Sequence, residues 1–188
     1  MKALAGLLLM ASVAIAACGT RAAPPATERP RATLAIPTPG RPEWFGVQMT
    51  DVTTGESFSI NDFSGKVVLV ETMATWCPTC LFQAAYVRKL HRLLGNRDDL
   101  VSVSLDEDLN EDAPLLKAYV EEYGFEWRFA VAPLVVNRAL GNLYSAEFHN
   151  PPLSPMLLID RAGNAHQLEF GLKDTERLQT IVEPYLSE

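Results

Sequence analysis

Trp76-Cys77-Pro78-Thr79-Cys80 places two thiols three residues apart, a spacing at which they can close a small disulfide, exchange it with another molecule, or hold a soft metal ion. A structural zinc site wants four ligands, and the one other cysteine, Cys18, lies far away in an apolar N-terminal segment. Pro78 suits the first turn of a helix, where no intrahelical N–H bond is expected. The unpaired amides and positive dipole end of such a helix favour a thiolate on Cys77. Cys77 is therefore the expected nucleophile, and Cys80, one turn inward, the thiol that closes the disulfide and releases a bound partner. Copper(I) needs fewer ligands than zinc, so Cys77 and Cys80 with Met156 and His149 form an alternative soft-metal set. A purely structural disulfide is the third possibility.

Apolar periodicity shows which elements must hold this motif. Val67-Val68-Leu69-Val70 is a β-branched run without alternation, as expected for a central strand covered on both faces. A helix follows Cys77, with Phe82, Tyr86, Leu90 and Leu93 as its expected core stripe and Gly95 as its stop. Upstream, Val47–Val52 and Ser57–Ile60 flank the turn-like Thr53-Thr54-Gly55-Glu56 and predict a β-hairpin. Downstream, Leu100–Leu105 alternates Leu/Val with Ser and predicts a second sheet strand. Pro114 to Gly124 predicts a helix with Leu115, Leu116, Tyr119, Val120 and Tyr123 inward. Pro155–Asp160 and Ala165–Phe170 predict a hairpin across Arg161-Ala162-Gly163-Asn164, and Asp174 opens a last helix with Leu178, Ile181, Val182 and Tyr185 inward. The order β-hairpin, β, α, β, α, β, β, α implies an α/β fold, a central mixed sheet flanked by helices.

Val70 through Cys80 resembles the active-site strand and loop of the thioredoxin superfamily, and is most similar to that of TlpA/ResA-type redoxins. The likeness extends through Phe63–Val70 and Ser154–Asn164, so it covers nearly all of residues 44–188. It implies a thioredoxin-like fold and dithiol/disulfide exchange with no separate cofactor, Trp76, Pro78, Thr79, Ser154 and Pro155 contacting the substrate. It also implies a cis Ser154–Pro155 peptide against the dithiol, with Ser154 offering backbone hydrogen bonds to an extended substrate. Glu71, six residues before Cys77, stands at the position of the buried acid of thioredoxin, which implies a proton acceptor for Cys80. Burial at the end of a strand raises a carboxyl pKa and suits it to that task, whereas a partly exposed Glu71 would make only a cap or an ion pair. Many relatives carry Glu three residues after the second cysteine and Pro two residues later; here those positions are Gln83 and Ala85. Copper-delivery relatives usually have C-x-x-x-C, and the Pro-x-x-x-Thr-x-x-Cys pattern of peroxiredoxins is missing. The resemblance implies a reductant of exported cysteines, with apocytochrome c or copper-site proteins as clients and a membrane thiol transporter as electron donor.

Lys2 followed by the mostly apolar Ala3–Ala17 is an export signal, short of the ~20 residues of a membrane-spanning helix. Ile15-Ala16-Ala17-Cys18-Gly19 resembles the bacterial lipobox, which implies lipidation of Cys18; an ordinary cleaved signal is the alternative. Two or more acyl chains hold a protein stably on a bilayer. Residues 18–43 read as a tether, because Gly19–Pro42 holds six of the thirteen prolines and almost no large apolar side chain. Residues 44–188 form the folded head, expected outside the cytoplasm at a bacterial membrane.

The 188 residues are 48% hydrophobic and 21% charged, which excludes a disordered chain and supplies a core for one domain. Net charge is −7 overall and −10 over residues 44–188, with eleven basic and twenty-one acidic side chains, so a nucleic-acid partner is excluded as an expectation. His91 and His166 are expected in solvent, and Trp44 and Trp127 in core or rim packing. Asp106-Glu107-Asp108 with Glu111-Asp112 lacks the glycine and spacing of an EF-hand and predicts a solvated loop.

Overall fold

The computed structural model describes residues 41–187; the leader 1–17, Cys18 and most of the tether lie outside the described residues. A hairpin of β1 (Met49–Thr50) and β2 (Ser57–Phe58) precedes the central strand β3 (Val67–Met73), which runs into α1 (Pro78–Leu93). Then follow β4 (Leu100–Asp106), α2 (Ala113–Tyr123), β5 (Arg128–Val131), α3 (Leu134–Leu143), β6 (Met156–Ile159), β7 (Ala165–Gln167) and α4 (Thr175–Leu186). The sheet order is β5-β4-β3-β6-β7, with β3, β4 and β5 parallel and β6 and β7 antiparallel to their neighbours. This is the expected mixed sheet flanked by helices, entered through the expected hairpin.

Period-two alternation divides β3 between two cores. Val68 and Val70 pack with Trp44, Phe45, Leu157 and Phe148 on one face. Val67 and Leu69 pack with Val87 and Leu90 of α1 and Leu178 and Val182 of α4 on the other, while Met73 joins Cys77, Cys80, Leu116 and Phe129. Glu71 shares the parity of Leu69 and Met73, so the strand aims it toward the dithiol side of the sheet.

Sequence periodicity does not reveal β5 and α3, and the reason is physical. β5 has only four residues. α3 opens after Pro133, which makes no side-chain cap, and contains Gly141, a poor helix former. Tertiary packing holds it instead: Val136 and Leu140 are fully buried in the Trp44 core. The His149 imidazole lies over Gly141, where a Cβ would displace it.

The inward face of α1 also differs from the expected stripe. It is Cys80, Gln83, Ala84, Val87 and Leu90, whereas Phe82 and Leu93 are each 57% exposed. The disulfide sets the helix phase: once Cys80 must turn inward to meet Cys77, positions three, four, seven and ten residues later follow it. In α2 too the inward face is narrower than the expected stripe, with Leu115 and Tyr123 largely outside and Leu116, Tyr119 and Val120 buried.

Candidate active site

Cys77 and Cys80 form a disulfide at the junction of β3 and α1, with Cα atoms 5.3 Å apart. Cys77 is the N-cap of α1; its sulfur accepts the Cys80 amide N–H at 3.2 Å and lies 3.2 Å from the Thr79 hydroxyl. In the reduced protein the Cys80 amide and the helix dipole face a Cys77 thiolate. Both cysteines are buried, Cys77 to 1% exposure, whereas Trp76 beside them is 56% exposed. The turn Pro151–Leu153 lies against them: the Pro151 carbonyl is 3.4 Å from the Cys80 sulfur, and the Pro152 carbonyl accepts the Thr79 hydroxyl at 3.1 Å.

Beneath the disulfide runs a buried polar seam on the dithiol face of β3 and β4. The alternation of β4 that predicts a strand puts Ser102, Ser104 and Asp106 on this face, and all three are buried. Each has a partner. Ser102 lies 2.8 Å from His91, and Ser104 donates to Glu71 at 2.5 Å while accepting the Trp127 indole N–H at 2.8 Å. Asp106 accepts the Asp108 amide at 3.0 Å. Glu71 is 5% exposed, so the partly exposed alternative is wrong. Burial pushes its carboxyl up to about 7, opposed by the Ser104 hydrogen bond and the Lys173 charge. A group that titrates at neutral pH beneath a dithiol can hold or release a proton as the thiols change state. His91, expected in solvent, stacks on Trp127, and burial lowers its pKa. His166 pairs with Asp160 at 3.0 Å.

The acidic stretch is not a solvated loop. Asp106 and Glu107 are buried, because the C-terminal end of β4 lies beside the loop that carries the cysteines. Glu111 accepts the Thr75 amide at 2.8 Å and also the Thr75 hydroxyl, while Asp108 accepts the Trp76 indole N–H at 2.7 Å. The stretch therefore clasps residues 75–76, next to Cys77. Burial, then the neighbouring Glu111 carboxylate, raises the Asp106 pKa. Glu107 is pushed up to about 7 by burial, opposed by His149, whose Nδ1 lies 2.7 Å from it.

Two expectations around Pro155 are corrected. No peptide bond among the described residues is cis; the chain turns through Ser154 itself, in the left-handed region at φ 46°. The Ser154 backbone is also already engaged, its N–H donating to Pro151 at 2.8 Å and its carbonyl accepting the Lys173 ammonium at 2.9 Å. Of the copper set, Met156 packs in the α1–α4 core and His149 is engaged by Glu107. A cavity of about 420 Å³ opens at the far end of the parallel strands, and three of its five cations serve the fold: Arg88 donates to the Tyr123 carbonyl, Arg97 pairs with Asp99, and Arg128 lies over Phe58 and Phe63. Sequence reasoning missed Ser104, Glu111 and Lys173. The serine spacing in β4 signals the first, whereas no local pattern marks the others.

Fold and site together define a thioredoxin-like protein whose working group is a redox-active C-x-x-C disulfide. The chain belongs to the Redoxin family, whose model matches residues 23–177, and within it is a redoxin of the TlpA/ResA type. It is similar to the thiol-disulfide oxidoreductase ResA of Bacillus thuringiensis (strain Al Hakam), 24% identical over 125 residues, 66% of this chain and 66% of that one. ResA of Bacillus anthracis matches to the same extent, 24% over 125 residues. Among solved structures, a thiol:disulfide interchange protein from Chlorobium tepidum TLS superposes with a TM-score of 0.61 at 23% identity, covering 74% of this chain and 92% of that one. A thiol-disulfide isomerase from Corynebacterium glutamicum gives 0.58 at 25% identity, covering 72% and 90%.

Proposed function

We propose that the protein is a membrane-anchored, extracytoplasmic thiol–disulfide oxidoreductase that reduces disulfides in exported proteins. The observation that carries this reading is the Cys77–Cys80 disulfide at the start of α1, with Cys77 as N-cap, over the buried Glu71. Reduced Cys77 attacks a partner disulfide, a mixed disulfide forms, and Cys80 displaces the partner as Glu71 takes the Cys80 proton. The cysteines are the redox group. Trp76, exposed at the rim, and Pro78 and Thr79 between the cysteines meet the partner first, and Ser154 and Pro155 back the site. Exported cysteine proteins, apocytochrome c or copper-site proteins among them, are the clients, re-reduced through a membrane thiol donor.

The Cys77–Cys80 reduction potential tests the direction of electron flow. Equilibration of the full chain against a thiol buffer is expected to give about −270 mV or lower, the range of a reductant. A value near −120 mV would instead describe an oxidant that donates disulfides. The anchor has its own test. Cys18→Ala is expected to move the protein from the membrane fraction to the soluble extracytoplasmic fraction, and continued retention would reject lipidation of Cys18 as the attachment.

A further inference from the structure

Gln83, at the position where similar redoxins carry glutamate, spends its whole amide on one residue. Its Nε2 donates to the Lys173 carbonyl at 3.0 Å, and its Oε1 accepts the Lys173 backbone N–H at 2.8 Å. This two-point clamp fastens α1 to the segment between β7 and α4. It delivers the Lys173 ammonium to the Ser154 carbonyl at 2.9 Å and the Gly171 carbonyl at 2.5 Å. Lys173 is only 4% exposed, and among the described residues no carboxylate lies within 4.0 Å of its ammonium.

Two neutral carbonyls do not by themselves repay the burial of a full charge. Ser154, whose carbonyl the ammonium touches, lies two residues before Met156, the β6 partner of Glu71 in register, so the buried Glu71 is the carboxylate on this side of the sheet, whereas Glu169 is exposed. Burial lowers Lys173 to about 8, so it keeps its proton through neutral pH, where Glu71 titrates. The other groups around Glu71 leave Lys173 as the cation. β4 offers the Ser104 hydroxyl, with buried Asp106 two residues on; α2 offers the Tyr119 hydroxyl; β6 places Met156 opposite; α1 carries the disulfide.

We propose that Lys173 is a positioning residue for the resolving step: its clamped, buried ammonium holds Glu71 ionised so that Glu71 can accept the Cys80 proton. The inference rests on the reading of Glu71 as that acceptor. In the mixed disulfide the Cys80 S–H proton passes to the Glu71 carboxylate, and the Cys80 thiolate attacks the Cys77 sulfur. The Cys77–Cys80 bond forms as the bond from Cys77 to the partner breaks. The electron pair leaves on the partner's sulfur, so the partner is reduced, the dithiol is oxidised, and Glu71 returns its proton to solvent.

The test is stopped-flow reaction of the reduced full chain carrying Cys18→Ala, in which Cys77 and Cys80 are the two thiols, with 5,5′-dithiobis(2-nitrobenzoate) from pH 5.5 to 9.5. The first thionitrobenzoate released reports attack by Cys77, and the second reports resolution by Cys80. Lys173→Met and Lys173→Gln are expected to move the midpoint of the second phase alkaline by about one pH unit, slowing it about fivefold at pH 7 and about tenfold below pH 6. Lys173→Gln retains a donor for the loop carbonyls, so it separates loss of charge from loss of the loop. Lys173→Arg should restore the profile, and in a Glu71→Gln background Lys173→Met should add nothing. A wild-type profile in Lys173→Gln, alongside a shifted profile in Glu71→Gln, would overturn the role of Lys173 alone. An unshifted profile in Glu71→Gln would reject the acceptor reading and this inference with it.

Discussion

Cys77→Ser should abolish disulfide exchange, by on the order of 10⁴-fold or more, because a serine hydroxyl stays protonated where the N-cap donors can sustain a thiolate. Cys80→Ser should behave differently. Attack by Cys77 survives, the resolving thiol is gone, and the mixed disulfide accumulates as a covalent adduct visible by mass spectrometry. The asymmetry comes from the fold, since only Cys77 is the N-cap and accepts the Cys80 amide, whereas Cys80 faces inward against the Pro151 carbonyl. Equal residual rates in the two variants, or no adduct in Cys80→Ser, would contradict these assignments.

Glu71→Gln should lessen the loss of stability between pH 5 and pH 8 while slowing the resolving step. Burial lifts the Glu71 carboxyl from 4.5 to about 7, so the folded state binds its proton more tightly than the unfolded chain does. Its stabilising contribution is complete below the unfolded value, declines as the pH rises, and is gone above about 7. Such a shift is worth about 3 kcal/mol. Glutamine cannot ionise, and its carbonyl can keep the Ser104 hydrogen bond that Glu71 accepts at 2.5 Å. Urea denaturation at pH 5 and pH 8, with the disulfide intact, should therefore show the variant losing much less stability than wild type between the two conditions. Equal losses would mean that Glu71 is not ionised against its burial. The raised Asp106 and Glu107 give a decline of the same sign in both proteins, so the difference between variant and wild type isolates Glu71.

The centre of this protein is legible from local chemistry alone. C-x-x-C behind Trp76, Pro78 in a first helical turn and the unbroken Val67–Val70 run specify a buried strand delivering a dithiol to a helix N-terminus. All of these are near-neighbour properties, and the fold keeps them. Caps behave likewise: Asp112 and Asp174 accept amides of the helices they open, and Gly124 closes α2 at φ 64°.

What only the tertiary structure decided is how distant groups meet. β5 and α3 carry weak local signals and exist because the sheet edge and the Trp44 core receive them. The phase of α1 follows from the disulfide rather than from its most apolar stripe. The acidic stretch reads as solvated by composition, yet parallel pairing of β3 with β4 sets Asp106 opposite Met73 and folds Glu111 onto Thr75. Lys173, ninety residues from Gln83, has no local pattern to announce it. Burial, which sets the charge state of Glu71, Asp106 and Lys173, depends on every element packed around them, and for that reason it cannot be read from neighbours in the chain.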